Sequence, residues 1–146
     1  MTGPAAGPQT GLTVTHRRYV AYSHAHYAGN LVDGAFSLAL FGDVATELCI
    51  RTDGDEGLFA SYDAVQFLAP VRAGDVVEVR AELVRVGRRS RGLAFTLSVV
   101  ARGEPTAESP GAAALLDPPL VATTATGTVV VPARDPGGTS GEDTRT

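Results

Sequence analysis

The stretch His24-Ala25-His26-Tyr27-Ala28-Gly29-Asn30-Leu31-Val32-Asp33-Gly34, with the run Ala35 to Ile50 behind it, limits this chain more than any other. Small residues at Ala25, Ala28, Gly29 and Gly34 let the backbone come close to a ligand. Two imidazoles and a phenol stand beside them. Asn30 or Asp33 is placed to cap a helix by accepting from its first free N–H groups. Downstream, Phe36, Leu38, Leu40, Phe41, Val44, Ala45 and Leu48 fall almost all round a helical axis, which predicts a buried helix. Asp43 and Glu47 interrupt that run four residues apart, about 40° around the axis. Ionised carboxylates in a buried helix need either partners or a task.

The rest of the chain must cover such a helix. Its 146 residues are the length of one domain and can bury most of their apolar side chains in one core. Turn chemistry at Thr52-Asp53-Gly54-Asp55 stops the helix. Before it, Thr13 to Tyr22 reads as a strand. After it, Leu58 to Leu68 is a strand ended by Pro70, and Val71 to Asp75 is a tight turn. Val77, Val79, Ala81 and Leu83 alternate with Glu78, Arg80 and Glu82, and the phase slips at Leu83-Val84, which predicts a β-bulge. A turn at Gly87-Arg88-Arg89-Ser90 precedes a strand through Leu93, Phe95, Leu97 and Val99. Four prolines between Gly103 and Pro119 predict a long surface loop, and Val121 to Val131 reads as the last strand. Residues 1–11 and 133–146, rich in Gly and Pro or polar, are expected to be disordered, leaving one domain over 12–132. One long helix followed by antiparallel strands is an α+β arrangement with the sheet wrapped around the helix. Its open margin and free edges predict dimerisation.

Composition removes several classes of function. A net charge of −4 does not suit a general nucleic-acid binder. The single cysteine, Cys49, rules out an intramolecular disulfide and favours a reducing, cytoplasmic setting. No apolar run approaches the roughly 20 residues of a membrane span, and the first residues lack a signal-peptide pattern. There is no metal-ligand spacing, no phosphate loop and no nucleophile elbow.

Phe67-Leu68-Ala69-Pro70-Val71-Arg72-Ala73-Gly74-Asp75, then Val84-Arg85-Val86-Gly87-Arg88-Arg89-Ser90, resembles the strand–turn–strand signature of the hotdog superfamily. Ala25 to Ala35, followed by Gly42-Asp43-Val44-Ala45-Thr46-Glu47-Leu48, is similar to the β-alanyl-CoA and 3-aminobutyryl-CoA ammonia lyases. The resemblance runs from about His16 to Val131. It implies a hotdog fold and a carbon–nitrogen lyase that works at the β-carbon of an acyl thioester without a metal or organic cofactor. Its substrate would be carried on coenzyme A or on the phosphopantetheine of an acyl carrier protein, in a homodimer or higher homo-oligomer. Asp33 stands where those lyases carry Asn. The alternative on the same fold is an acyl-CoA or acyl-carrier-protein thioesterase, with Asp43 or Glu47 as base or nucleophile.

In the lyase reading the thioester carbonyl meets the N–H groups of Val32 to Gly34 at the helix N-terminus. The plainer reading is that Gly29 and Gly34 only permit a turn. Glu47 and Asp43 are the candidate acid/base pair, with one pKa raised by the other carboxylate, or else members of a salt bridge. His26 and Tyr27 could orient the amine or relay its proton, with Asn30 beside them, or bond locally to backbone. Arg88 and Arg89 could meet carrier phosphates or simply be solvated. In the synthetic direction the amine donor could be ammonia or an amino acid such as glycine. An amino-acid donor needs a cation for its carboxylate, for which Arg17, Arg18 and Arg72 are candidates.

Overall fold

The computed structural model describes residues 7–133. The segments 1–6 and 134–146, expected to be disordered, lie outside the described residues. Seven strands and one long helix follow in the order β1 (Thr13–Tyr19), β2 (Ala25–Tyr27), β3 (Leu31–Val32), α1 (Gly34–Asp53), β4 (Leu58–Phe67), β5 (Val76–Val86), β6 (Ser90–Gly103) and β7 (Ala113–Val130). Five of the strands form one antiparallel sheet in the order β1-β5-β6-β7-β4, and β2 with β3 forms a small ribbon ahead of the helix. This is a hotdog fold: the sheet curls around α1, which packs chiefly on β5, β1 and β6.

Local chemistry sets both ends of α1. The Asp33 carboxylate accepts the Phe36 N–H at 3.0 Å, and Gly54 ends the helix in the left-handed region, φ 66°, with its N–H on Ile50 O. One face is buried, through Ser37, Leu40, Phe41, Val44, Ala45, Leu48, Cys49 and Thr52. The expectation of all-round burial is therefore corrected. Ala35, Ala39, Asp43, Thr46 and Ile50 form an exposed stripe at helical spacing. The sheet covers a single side, and the small residues in the stripe leave room on the other.

The bulge foreseen at Leu83-Val84 is present, as a register shift between Leu83 and Arg85 against β6. The loop expected over Gly103–Pro119 is present only over residues 104–112: β7 begins at Ala113 and carries Pro118 and Pro119 within it. Its pairing jumps from Val99↔Leu120 to Ala101↔Leu115, so the prolines sit in a bulge where no ladder N–H is required of them. Ahead of β1, Gly11 donates to Leu83 O at 2.8 Å, so the described part of the N-terminal segment is tied to β5.

Candidate active site

A pocket of about 410 Å³ opens at the N-terminus of α1. Tyr27 and Leu31 to Gly34 form one side and Phe67 to Val71 the other, with Ser37 and Thr123 at its base. The segment after β4 is stitched to the loop before the helix. Val32 N–H donates to Val71 O at 2.9 Å, and Ala73 N–H donates to Asn30 O at 2.9 Å. Asp75, 1% exposed, anchors that segment from behind. It accepts from the Arg72 N–H at 2.8 Å and from Arg102 at 3.0 and 2.9 Å, while Arg102 also donates to Pro70 O. The pocket wall is thus held by a buried ion pair rather than by the wall's own side chains.

Of the residues singled out from the sequence, Tyr27, Val32, Asp33 and Gly34 line this pocket. Gly29, at φ 75°, and Asn30, at φ 60°, shape the turn leading to it. The His26 ring stands edge-on to Tyr27, centroids 4.6 Å apart, and its Nδ1 is 4.0 Å from Asp33 Oδ2. The first N–H groups of a helix have no acceptor within it. Here the Phe36 N–H is taken by Asp33 and the Val32 N–H by Val71, leaving those of Asp33, Gly34 and Ala35 for a substrate oxygen. Of the expected donor set, Val32 to Gly34, Val32 is thus already engaged. Gly34 also gives Phe67 its room: a Cβ there would lie 2.6 Å from the tip of that ring, which would have to shift.

Asp43 and Glu47 are not brought to this pocket within the chain. Ten residues of helix, about 15 Å, separate Asp33 from Asp43. Neither carboxylate is buried, with side chains 56% and 39% exposed, and each has its own basic partner. Arg18 donates to Asp43 at 3.3 Å. Glu47 lies 2.9 Å from His16 Nε2 and accepts from Arg51 Nε at 2.9 Å. These hydrogen bonds, His16's first and Arg51's second, hold the Glu47 carboxyl below its ordinary 4.5, the opposite of the raised value expected from a carboxylate pair. Arg88 and Arg89 sit at the β5–β6 turn, at the other end of α1. There Arg91 of the next strand clasps Asp53 through Nε and Nη2, at 2.9 and 2.7 Å.

Three contributors escaped the sequence reading. His16 pairs with Glu47 across 31 positions, a distance that no local pattern reports. Ser37 lies in register with the core positions Leu40, Phe41, Val44 and Leu48, so a polar residue on the apolar face was the available signal. Thr123 is buried opposite it, on β7.

The comparisons with known proteins agree with this fold. The thioesterase superfamily profile matches residues 29–93. A 3-aminobutyryl-CoA ammonia lyase of Acetoanaerobium sticklandii is 51% identical over 108 residues, which cover 74% of this chain and 85% of the relative. The solved β-alanyl-CoA:ammonia lyase from Clostridium propionicum superposes with a TM-score of 0.79 at 36% identity, over 84% of this chain and 87% of that one. A hexameric hotdog fold thioesterase of Campylobacter jejuni, 22% identical with a TM-score of 0.66 over 82% of this chain and 83% of its own, shares the fold. Fold and pocket together make this a protein of the thioesterase, or hotdog, superfamily. Within it, the chain belongs to the family of acyl-CoA ammonia lyases.

Proposed function

We propose that the chain is a carbon–nitrogen lyase at the β-carbon of an acyl-CoA thioester. It releases ammonia from a 3-aminoacyl-CoA to leave the enoyl-CoA, or adds ammonia in reverse. One observation carries the reading: the pocket at the α1 N-terminus, apolar along Leu31, Val32 and Phe67 to Val71, belongs to a chain 51% identical to such a lyase. The thioester oxygen meets the Gly34 and Ala35 N–H groups, where the helix dipole favours the charge of the enolate. A base takes the α-proton, the freed C–H electron pair forms the α–β double bond, and the C–N pair departs with the protonated 3-amino group, which leaves as neutral ammonia.

The ionisable groups beside the pocket in its own chain are Tyr27, Asp33 and His26. Asp43 and Glu47 serve as acid and base in the pocket of a second copy. Two features support a dimer. The β4 edge is unpaired, with Leu58 and Phe67 77% and 58% exposed, and Leu68 just beyond it is also exposed. The α1 stripe bearing Asp43 is likewise open. Light scattering that finds a stable monomer at micromolar concentration would overturn that assignment.

Coenzyme A and acyl-carrier-protein carriers, and ammonia and amino-acid donors, use the same pocket chemistry. For an amino-acid donor such as glycine, Arg72 is the favoured cation. It adjoins the wall at Val71, whereas Arg17 and Arg18 are occupied by Glu78 and Asp43, at 2.7 and 3.3 Å. Incubation with 3-aminobutyryl-CoA, read by product mass, tests the central reading. Enoyl-CoA and free ammonia are expected. Free acid with coenzyme A thiol, and no enoyl product, would move the chain to the thioesterases. Crotonyl-CoA offered with equal ammonia and glycine then reports the donor.

A further inference from the structure

At the base of the pocket, Thr123 Oγ1 and Ser37 Oγ lie 3.2 Å apart, with the two residues only 1% and 2% exposed. Each hydroxyl owns one proton, and a single O···O contact uses one of them. Among the described residues neither hydroxyl has another hydrogen bond. Thr46, on the same helix, donates back to Gly42 O at 2.9 Å, and Ser37 makes no such bond. Whichever hydroxyl donates to the other, one proton and several lone pairs remain without a partner among the described residues, and both side chains line the cavity. A buried polar group in this state is costly unless a ligand or a water completes it.

The position of the pair identifies the ligand atom. Ser37 lies three residues beyond Gly34, about 4.5 Å deeper along the helix axis. A β-nitrogen is three bonds beyond the thioester carbonyl carbon, about 3.8 Å through space when extended. The Ser37 side chain leans back toward the helix N-terminus, so an acyl chain whose carbonyl oxygen is on the Gly34 and Ala35 N–H groups brings its nitrogen toward the hydroxyl pair. The other residues lining the pocket are apolar apart from Tyr27 and Asp33. A hydroxyl pair suits the nitrogen in both of its states: its lone pairs accept from an ammonium, and its spare proton donates to the lone pair of neutral ammonia.

We propose that Ser37 and Thr123 form the nitrogen subsite of this enzyme, selecting a 3-amino substituent and holding ammonia for addition. The inference rests on the lyase reading above. Its test is the addition reaction in wild type, Ser37→Ala and Thr123→Val, varying ammonia and crotonyl-CoA separately and recording thermal melts. Loss of one hydroxyl partner is expected to raise KM for ammonia about tenfold or more while KM for crotonyl-CoA changes less than about twofold. Thr123→Ser, which restores the hydroxyl, should recover most of the ammonia affinity. Equal effects on both substrates, or lower melting temperatures with an unchanged ammonia KM, would overturn the subsite and leave the lyase reading standing. Wild-type protein that forms no amine adduct overturns both.

Discussion

The two ends of α1 carry opposite kinds of chemistry. Beyond its middle, every notable charge is matched: Asp43 by Arg18, Glu47 by His16 and Arg51, and Asp53 by Arg91. At its N-terminus the helix offers free N–H groups, an apolar pocket and a hydroxyl pair with a proton to spare. Charges stand out in a sequence because they are expensive to bury, but in one chain these are already satisfied. The cavity is built mostly from small, aliphatic and aromatic residues, with Ser37, Thr123 and the capping Asp33 as its polar members. What it offers a substrate is hydrogen-bonding capacity left unfilled.

Breaking the charged end should cost stability first. Asp53 and Arg91 are 6% and 7% exposed, and Arg91 also donates to Gly87 O and Ser90 O, pinning the β5–β6 turn. Asp53→Asn leaves a buried guanidinium short of its counter-charge and should lower the unfolding free energy by about 3 kcal/mol in a denaturant titration. If the cost is under about 1 kcal/mol, the pair is not a structural clamp.

A second experiment asks whether the two ends meet between copies. Glu47→Gln should reduce kcat about a hundredfold, and Gly34→Leu, crowding Phe67, should close the pocket. Mixed in equal amounts and allowed to exchange, the two variants should recover about a quarter of wild-type activity, because half the dimers then hold one intact site. No recovery, with mixed dimers verified by differential tags, would confine Glu47 to its own chain.

Smaller effects sharpen the contrast. Burial pushes the Cys49 thiol up to about 11, with Asp53 adding to the rise. Cys49 should therefore resist thiol reagents at pH 8 in the folded protein and react fully once unfolded. Rapid labelling under native conditions would contradict that packing. Glu47 gives the smallest effect. Its folded carboxyl is held below 4.5, so its ion pairs contribute fully above that pH and are lost as pH falls through the lowered folded value. Because the side chain is 39% exposed, the contribution should stay below about 1 kcal/mol and shrink with salt. It is measurable as the difference between wild type and Glu47→Gln in acid unfolding.

Local signals were legible in the sequence and distant pairings were not. The Asp33 cap, the Gly54 stop and the Leu83 bulge each announce themselves within a few residues, because capping and pleat alternation are local physics. Pro118 and Pro119 misled, since a strand tolerates proline only where the partner strand leaves the ladder unpaired, and that depends on β6. The one-sided burial of α1 was hidden because apolar residues on both sides look alike until the sheet is known to cover one. Tyr27, Asp33 and Gly34 were found from the loop, whereas Ser37 and Thr123 meet across 86 positions.

The most direct test is a crystal structure with a non-hydrolysable 3-aminoacyl-CoA analogue. The carbonyl oxygen should lie within hydrogen-bond distance of the Gly34 and Ala35 N–H groups, its acyl chain along Val32, Phe67 and Val71. An acyl group seated instead between α1 and the start of β4, beside Gly42, Asp43 and Phe59, would contradict the placement of the site.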